Sequence, residues 1–499
     1  MAGLLFETRP APPIAAPNRA DVACFIGLVP LRRQSTPAGT PDLATPERPQ
    51  ALESWEAFDQ RYAWDQRPLE RADRSDGTTN NGQRRYGATY LGAAVRSFFA
   101  QGGRRCFVVR VGDPLPVHLS APTRGQRQIL EQQRQALLAA LLPGFPQDLS
   151  PTPLDRSSWR GIGALLGLPE VSFVALPDLA DLVALDRTPI APMPTVALPE
   201  WFVECGVSPA RADDQEGLRL AAPRCDQRGY EQWSQAVSAA AGFLRRWCRE
   251  VQVIAALPLP QEGADIRRSL PPNLSTGFAQ LVFPWVRTAL TPQLPGGLES
   301  PEGVLVGLLA RQALQRGSFR SAAGLDLADV RAVEPTLTRQ QRLAPLATGG
   351  DAGLTLSDRV SLLGPTPQGL RLLTDVTTSQ DPSYRLASMH RLVTAVLRAA
   401  RTLGELHSFE TSNEALWRRL QDNLETLMTQ LWQGGALAGA SPQEAFHVRC
   451  DRTTTQPQDL NAGRVVAEVV FVAASPIEQI RLVLAMEEGG QVSLQSPPP

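Results

Sequence analysis

Residues 90–111 read YLGAAVRSFFAQGGRRCFVVRV. Tyr90, Leu91, Ala94, Val95, Phe98 and Phe99 recur as adjacent pairs four residues apart, which predicts a helix with one apolar face between Gly87 and Gln101. Gly102 and Gly103 stop it, because glycine accepts the backbone conformations that close a helix end. Cys106, Phe107, Val108, Val109 and Val111 follow as a strand, and their unbroken hydrophobicity implies burial on both faces. The same grammar recurs on either side. Asp21 to Leu28 holds Val22, Ala23, Cys24, Phe25 and Ile26, a buried strand ending at Gly27. Val171 to Leu176 is a strand closed by Pro177 and Asp178. Between Gly229 and Leu257, Trp233, Val237, Ala240, Ala241, Leu244 and Trp247 form a helix face ahead of strand residues Val251, Val253, Ile254 and Leu257. Alternating helices and two-sided strands predict an α/β layered core domain. Gly125 to Leu142 reads as an amphipathic helix on an outward insertion, with proline-rich connectors at Pro189–Pro199 and Pro258–Pro272.

The last third changes character. Thr411 to Trp432 opens with a capping-box spacing, Thr411 and Glu414, and runs Leu416, Trp417, Leu420, Leu424, Leu427, Met428 and Leu431 along one side. Gly434 and Gly435 end it. Ser441, Pro442 and Glu444 mark another helix start before the strand Phe446 to Cys450, and apolar segments Val465–Val472 and Ile477–Leu484 follow. This end is α+β. The first twenty residues carry Leu4, Leu5 and Phe6 and then Pro10, Pro12, Pro13 and Pro17, an extended arm. The terminal Ser496 and its three prolines read as a frayed tail.

A chain of 499 residues calls for several domains. Its 49 basic and 50 acidic residues leave a net charge of −1, which gives no long-range attraction to nucleic acid or to an anionic membrane surface. All the basic residues are arginine. Without lysine there is neither a P-loop nor Schiff-base chemistry. Cys24, Cys106, Cys205, Cys225, Cys248 and Cys450 are scattered without a CxxC pair and read as buried, reduced thiols. With no secretory leader pattern and no run of about 18 apolar residues, the expected location is the cytoplasm.

Reactive constellations do not emerge. His118, His390, His407 and His447 lack metal-ligand spacing, and His447, between Phe446 and Val448, belongs on the solvent face of its strand. Gly161, Gly163 and Gly167 miss the spacing of a phosphate loop. Asp178, Asp181 and Asp186 follow a strand, where α/β proteins often place binding groups, so a hydrolase-like or ligand-binding enzyme with an acidic site near Asp178 is the alternative function. The plainer reading is a capped turn that starts the next helix. No cofactor and no metal are expected.

Leu431-Trp432-Gln433-Gly434-Gly435-Ala436-Leu437-Ala438-Gly439, then Glu444-Ala445-Phe446, Val448-Arg449-Cys450-Asp451 and Thr453-Thr454, resemble the contractile tail sheath proteins of phage tail-like contractile injection systems. Asp381-Pro382, Arg391-Leu392, Phe409-Glu410, Asn413, Leu416-Trp417 and Gly463 extend the match in the same order. Ala20-Asp21-Val22-Ala23 with Phe25-Ile26-Gly27, Tyr90-Leu91, Phe98-Phe99, Gly102-Gly103 and the strand at Cys106 look like that family's first α/β unit, and Phe283-Pro284-Trp285 with Arg316-Gly317 resembles its middle. The arm start at Gly3 to Glu7, the segment Leu370 to Val376 and the stretch Asp226 to Gln252 depart from the family pattern, which leaves open a main or a minor sheath ring.

The resemblance implies a structural protein rather than an enzyme. It implies an N-terminal linking arm over residues 1–20, a sheath core over 21–112 and 161–370 interrupted by the insertion 113–160, an α+β C-terminal sheath domain over 371–488, and a flexible tail over 489–499. A neighbour's arms would add strands to the C-terminal domain. Leu4, Leu5 and Phe6 at one end, and Val466, Val470, Ile480, Leu482 and Leu484 at the other, are the expected linking residues. The polar side of the Thr411–Trp432 helix, with Arg418, Arg419, Asp422 and Glu425, is expected to face an inner tube. Expected partners are further copies of the chain, the tube protein, and baseplate and cap proteins, in a particle assembled in the cytoplasm.

Overall fold

The computed structural model describes residues 19–32, 48–69, 86–117, 123–184, 221–271, 273–346, 353–407, 410, 413–461, 463–474, 480–486 and 492–495. They fall into two compact units. One comprises residues 21–315 and 321–388; the other takes residues 19–20, 316–320 and those from 389 onward.

The first unit is built on an eight-stranded sheet. Its strands are β1 (Ala23–Leu28), β2 (Gln50–Leu52), β3 (Cys106–Gly112), β4 (Phe173–Ala175), β5 (Gln252–Ala256), β6 (Ala279–Phe283), β7 (Ser361–Thr366) and β8 (Gly369–Leu372). The spatial order is β8-β7-β6-β5-β4-β1-β3-β2. Inner neighbours run parallel, and β2 and β8 pair antiparallel at the rims. Alternation along β1 shows why the strands are apolar throughout: Cys24 and Ile26 enter one core, and Ala23 and Phe25 enter the core on the opposite face.

Helices cover both faces. Helix α1 (Tyr90–Ala100) starts where Thr89 Oγ1 accepts the Gly92 N–H at 3.1 Å and stops before Gly102, whose φ of 105° only glycine adopts readily. Helix α2 (Arg124–Leu141) has a capping box from Thr123 and Gln126. It is not an outward appendage: Leu138 and Leu141 are buried and join the core on the Cys24 face, so α2 is a structural layer. Helix α3 (Gln227–Trp247) adds Trp233, Val237, Ala240 and Leu244 to the same core. On the other face, helix α4 (Glu302–Arg316) lies so close to α1 that a Cβ at Gly303 would sit 2.1 Å from the Ala94 carbonyl oxygen.

Several expectations shift. The Pro258–Pro272 connector contains a short strand, Leu259–Pro260, and a short helix, Ile266–Ser269. Gly161–Gly167 is a 3-10 helix whose first five residues are buried. The C-terminal unit begins near 389 rather than 371. Asp375 explains this, because its buried carboxylate accepts from Gln280 Nε2 at 2.9 Å and from the Ala322 N–H at 2.8 Å, tying the segment after β8 to the first unit. Pro189–Pro199, Cys205, Asp186 and His118 lie outside the described residues.

The second unit holds helix α5 (Ala387–Leu406), whose first two residues the division leaves with the first unit, and helix α6 (Glu414–Gln433). It also holds an antiparallel sheet ordered β9 (Phe446–Arg449), β10 (Val465–Phe471), β11 (Ile480–Met486) and β12 (Val492–Gln495). Strand β12 occupies part of the segment expected to be a flexible tail. Val492 and Leu494 alternate with polar residues there, a strand pattern overshadowed by the prolines that follow.

Candidate assembly interface

The C-terminal unit positions the expected linking and tube-facing residues. Asn413, rather than Thr411, caps α6: its Oδ1 accepts the Leu416 N–H at 2.8 Å, while Thr411 lies outside the described residues. From that start Leu416, Trp417, Leu420, Leu424 and Met428 fall on one side, and α6 lays them against β9 and β10, where Val448, Val469 and Phe471 are buried.

The opposite side of α6 is polar. Arg418 and Asp422 are exposed and Glu425 is half-buried, one stripe at intervals of four and three residues. Glu425 accepts from Gln421 Nε2 at 2.9 Å. Arg419 stands beside the stripe and pairs with Glu410. His407 Nδ1 donates to Glu410 at 2.8 Å, and that bond together with the Arg419 charge holds the Glu410 carboxyl below the usual carboxylate range.

Strand β10 is the spine of the sheet. Val466 stands opposite Ala485 and Val470 opposite Arg481 on β11, while Ile480, Leu482 and Leu484 stand opposite Phe471, Val469 and Ala467. In the single chain, therefore, the expected linking segment is an inner strand of its own sheet, flanked by β10 and β12. Among the described residues, β9 and β12 each have one edge without a paired strand. His447 is exposed on β9, as its alternation required. Leu4, Leu5 and Phe6 lie outside the described residues.

The acidic candidates sit elsewhere and do different work. Asp178 follows β4, where the direction of strand succession reverses beside β1, the place at which open α/β sheets commonly bind ligands. Here the chain fills that place itself. Asp178 is buried and its Oδ2 accepts the Leu28 N–H at 2.8 Å; a Cβ at Gly27 would come within 2.3 Å of that oxygen. The side chain thus caps the end of β1 rather than its own short helix. Asp181 pairs with the buried Arg67 at 2.6 Å. Nearby, Glu302 accepts the Ala256 N–H at 2.9 Å at the end of β5, and buried Glu299 accepts from Thr288 Oγ1 at 2.8 Å and from Ser97 Oγ. Burial pushes Asp178 and Glu299 up to about 7 and Glu302 to about 8. Asp178 and Glu302 close strand ends, and Glu299 and Asp181 tie side chains together. Among the described residues, no three His, Cys, Asp or Glu side chains are grouped to hold a metal ion, and no helix is long and apolar enough to cross a membrane.

Sequence reading missed α5. Its signal was present in Met389, Leu392, Val393, Val396, Leu397 and Ala400, which keep helical spacing, but buried His390, Arg391, Thr394 and Arg398 interrupt the apolar pattern.

No family model and no curated protein sequence matches the chain. Solved structures do. A chain of the anti-feeding prophage baseplate, six-fold symmetrised, superposes with a TM-score of 0.56 at 16% identity, covering 96% of this chain and 97% of that one. The anti-feeding prophage helical sheath in its contracted state gives 0.53 at 16% identity, covering 96% and 97%. The contracted PVC sheath complex of an extracellular contractile injection system gives 0.51 at 15% identity, covering 95% and 94%. The shared fold runs through nearly the whole length of each pair.

Proposed function

We propose that the chain is a sheath subunit of a contractile injection system, which polymerises around an inner tube, meets baseplate and cap proteins at the ends, and contracts to drive the tube through a target envelope. The observation that carries this reading is the end-to-end fold likeness to sheath and baseplate chains, with 96% of this chain covered. Such breadth takes in both compact units, whereas a common α/β superfold would match only the first.

The C-terminal sheet supplies the linkage. A strand edge offers backbone donors and acceptors to any strand that arrives, and the residues Leu4 to Phe6 of a neighbouring copy suit the open edge of β9 or β12. Strand β11 extends the idea. The ladder it makes beside Val466 and Val470 has the same backbone hydrogen bonds whether Ile480, Leu482 and Leu484 come from the same chain or from a neighbour, so exchange costs little. The exposed Arg418, Arg419 and Asp422, with Glu425, face the tube. Contraction is then a passage from a metastable extended lattice to a compact one, with backbone links surviving the rotation of each subunit, and no nucleotide takes part.

The alternative, an enzyme with an acidic site near Asp178, loses its premise because that carboxyl is bonded to the end of β1. Sedimentation velocity on the purified protein tests the proposal. Large polymers are the expected result; a small oligomer at every concentration would exclude it.

A further inference from the structure

The chain passes between its two compact units four times, after Ala20, Gln315, Arg320 and Ser388. Residues 19–20 and 316–320 are consequently short pieces of the C-terminal unit whose sequence neighbours on one or both sides belong to the other unit. Few contacts can hold pieces so short.

Helix α5 contacts both pieces through two arginines, and Arg320 Nη2 also donates to the Gly434 carbonyl oxygen at 3.1 Å. Arg391 and Arg398 are seven residues apart, hence on one face two turns apart, and are only 5% and 8% exposed. A buried guanidinium is costly unless its donors are used. Here backbone carbonyls take several of them. Arg398 Nη1 donates to the Arg19 carbonyl oxygen; Arg391 Nε donates to the Ser318 carbonyl oxygen at 2.9 Å, with Nη2 3.5 Å from that of Arg320. Each arginine therefore grips the main chain of a different crossing, and a carbonyl grip is indifferent to the side chain that the gripped residue carries.

We propose that α5 is a two-point clamp: Arg398 fixes the root of the N-terminal arm, and Arg391 fixes the 316–320 crossing. Tension on the arm is thereby delivered to α5 instead of peeling residues 19–20 away. The mechanical role rests on the reading of residues 1–20 as a linking arm; the clamp does not. A rigid fork with several donors is suited to this task in a way that a single ammonium is not.

Limited trypsin digestion of the full-length protein tests it, because both crossings contain an arginine that trypsin recognises: the bonds to follow are Arg19–Ala20 and Arg320–Ser321. Arg398→Leu should speed cleavage at Arg19–Ala20 about tenfold and leave Arg320–Ser321 unchanged, and Arg391→Leu should do the reverse. Arg398→Lys should fall between wild type and the leucine variant, and it stands in for that variant should leucine not fold. Unchanged rates, or both bonds opening together in either variant, would overturn the clamp in favour of general stabilisation. Sheath lengths measured on the same proteins separate the two readings. Short sheaths from Arg398→Leu beside long wild-type ones tie the clamp to the arm, normal lengths despite faster cleavage remove its mechanical role, and absence of wild-type sheaths removes the sheath reading while the cleavage pattern still decides the clamp.

Discussion

The strand ends of the core sheet and the rim of the C-terminal sheet are finished differently. In the first, Asp178 and Glu302 occupy the backbone donors at the ends of β1 and β5. In the second, β9 and β12 each have an unpaired edge among the described residues. A region whose polar groups are satisfied internally has little left to offer a partner, whereas an open ladder gains its missing bonds only from another strand. On the sheath proposal the contrast places the linkage in the C-terminal unit, although β2 also ends the core sheet with one unpaired edge among the described residues.

The largest expected effect lies on the open side. Removing residues Met1 to Pro17 should leave a folded monomer, judged by its melting transition, that makes no long sheaths in electron micrographs; sheaths of normal length would remove the arm from the linkage. On the closed side, Gly303→Val should cost about 3 kcal/mol or more, read as a lower denaturation midpoint, because the new Cβ meets the α1 backbone instead of a movable side chain.

Next comes pH. Asp178, Glu299 and Glu302 have folded values of about 7, 7 and 8 against ordinary values of 3.8 and 4.5. Their contribution is complete at pH values where both folded and unfolded chains are protonated. As pH rises past 4.5 the unfolded chain ionises first, so stability declines until the folded groups ionise near 7–8. Arg67 and Asp181 act on Asp178, Asp329 and Arg96 act on Glu299, and Asp178 and Glu299 act on Glu302, and burial outweighs them all. Urea midpoints should therefore fall between pH 5 and 8, and Glu302→Gln should flatten the slope; a midpoint that rises over this range would contradict the buried, protonated state. The smallest effect on folding belongs to Arg418→Glu with Arg419→Glu, which should change stability by no more than about 0.5 kcal/mol. The pair should nevertheless weaken co-sedimentation with the tube; undiminished binding would move the tube contact off α6.

Legibility followed the same divide. Strands β1 and β3 and helix α3 were readable because two-sided burial leaves long apolar runs or one strong face. The unit boundary was not, since the bonds of Asp375 to Gln280 and Ala322 span large sequence separations and carry no local signature. Asp178 was singled out correctly as notable and its partner was invisible, because Leu28 is distant in sequence and contributes only a backbone N–H. The polar stripe Arg418, Asp422 and Glu425 was legible from helical spacing alone, but the pairing of Arg419 with Glu410 depends on how the chain enters α6. Strand β11 was foreseen as a strand. Whether its partner is its own chain or a neighbour is decided by assembly, not by the sequence of the strand.

A cryo-EM reconstruction of the native particle tests this most directly, by tracing every strand beside β10 and along the outer edges of β9 and β12 to the chain that owns it. The expected map shows each C-terminal sheet completed by at least one strand from an adjacent copy. A map in which every such sheet is composed wholly of its own chain, with both ends folded home and no neighbouring strand on either edge, would contradict the sheath linkage.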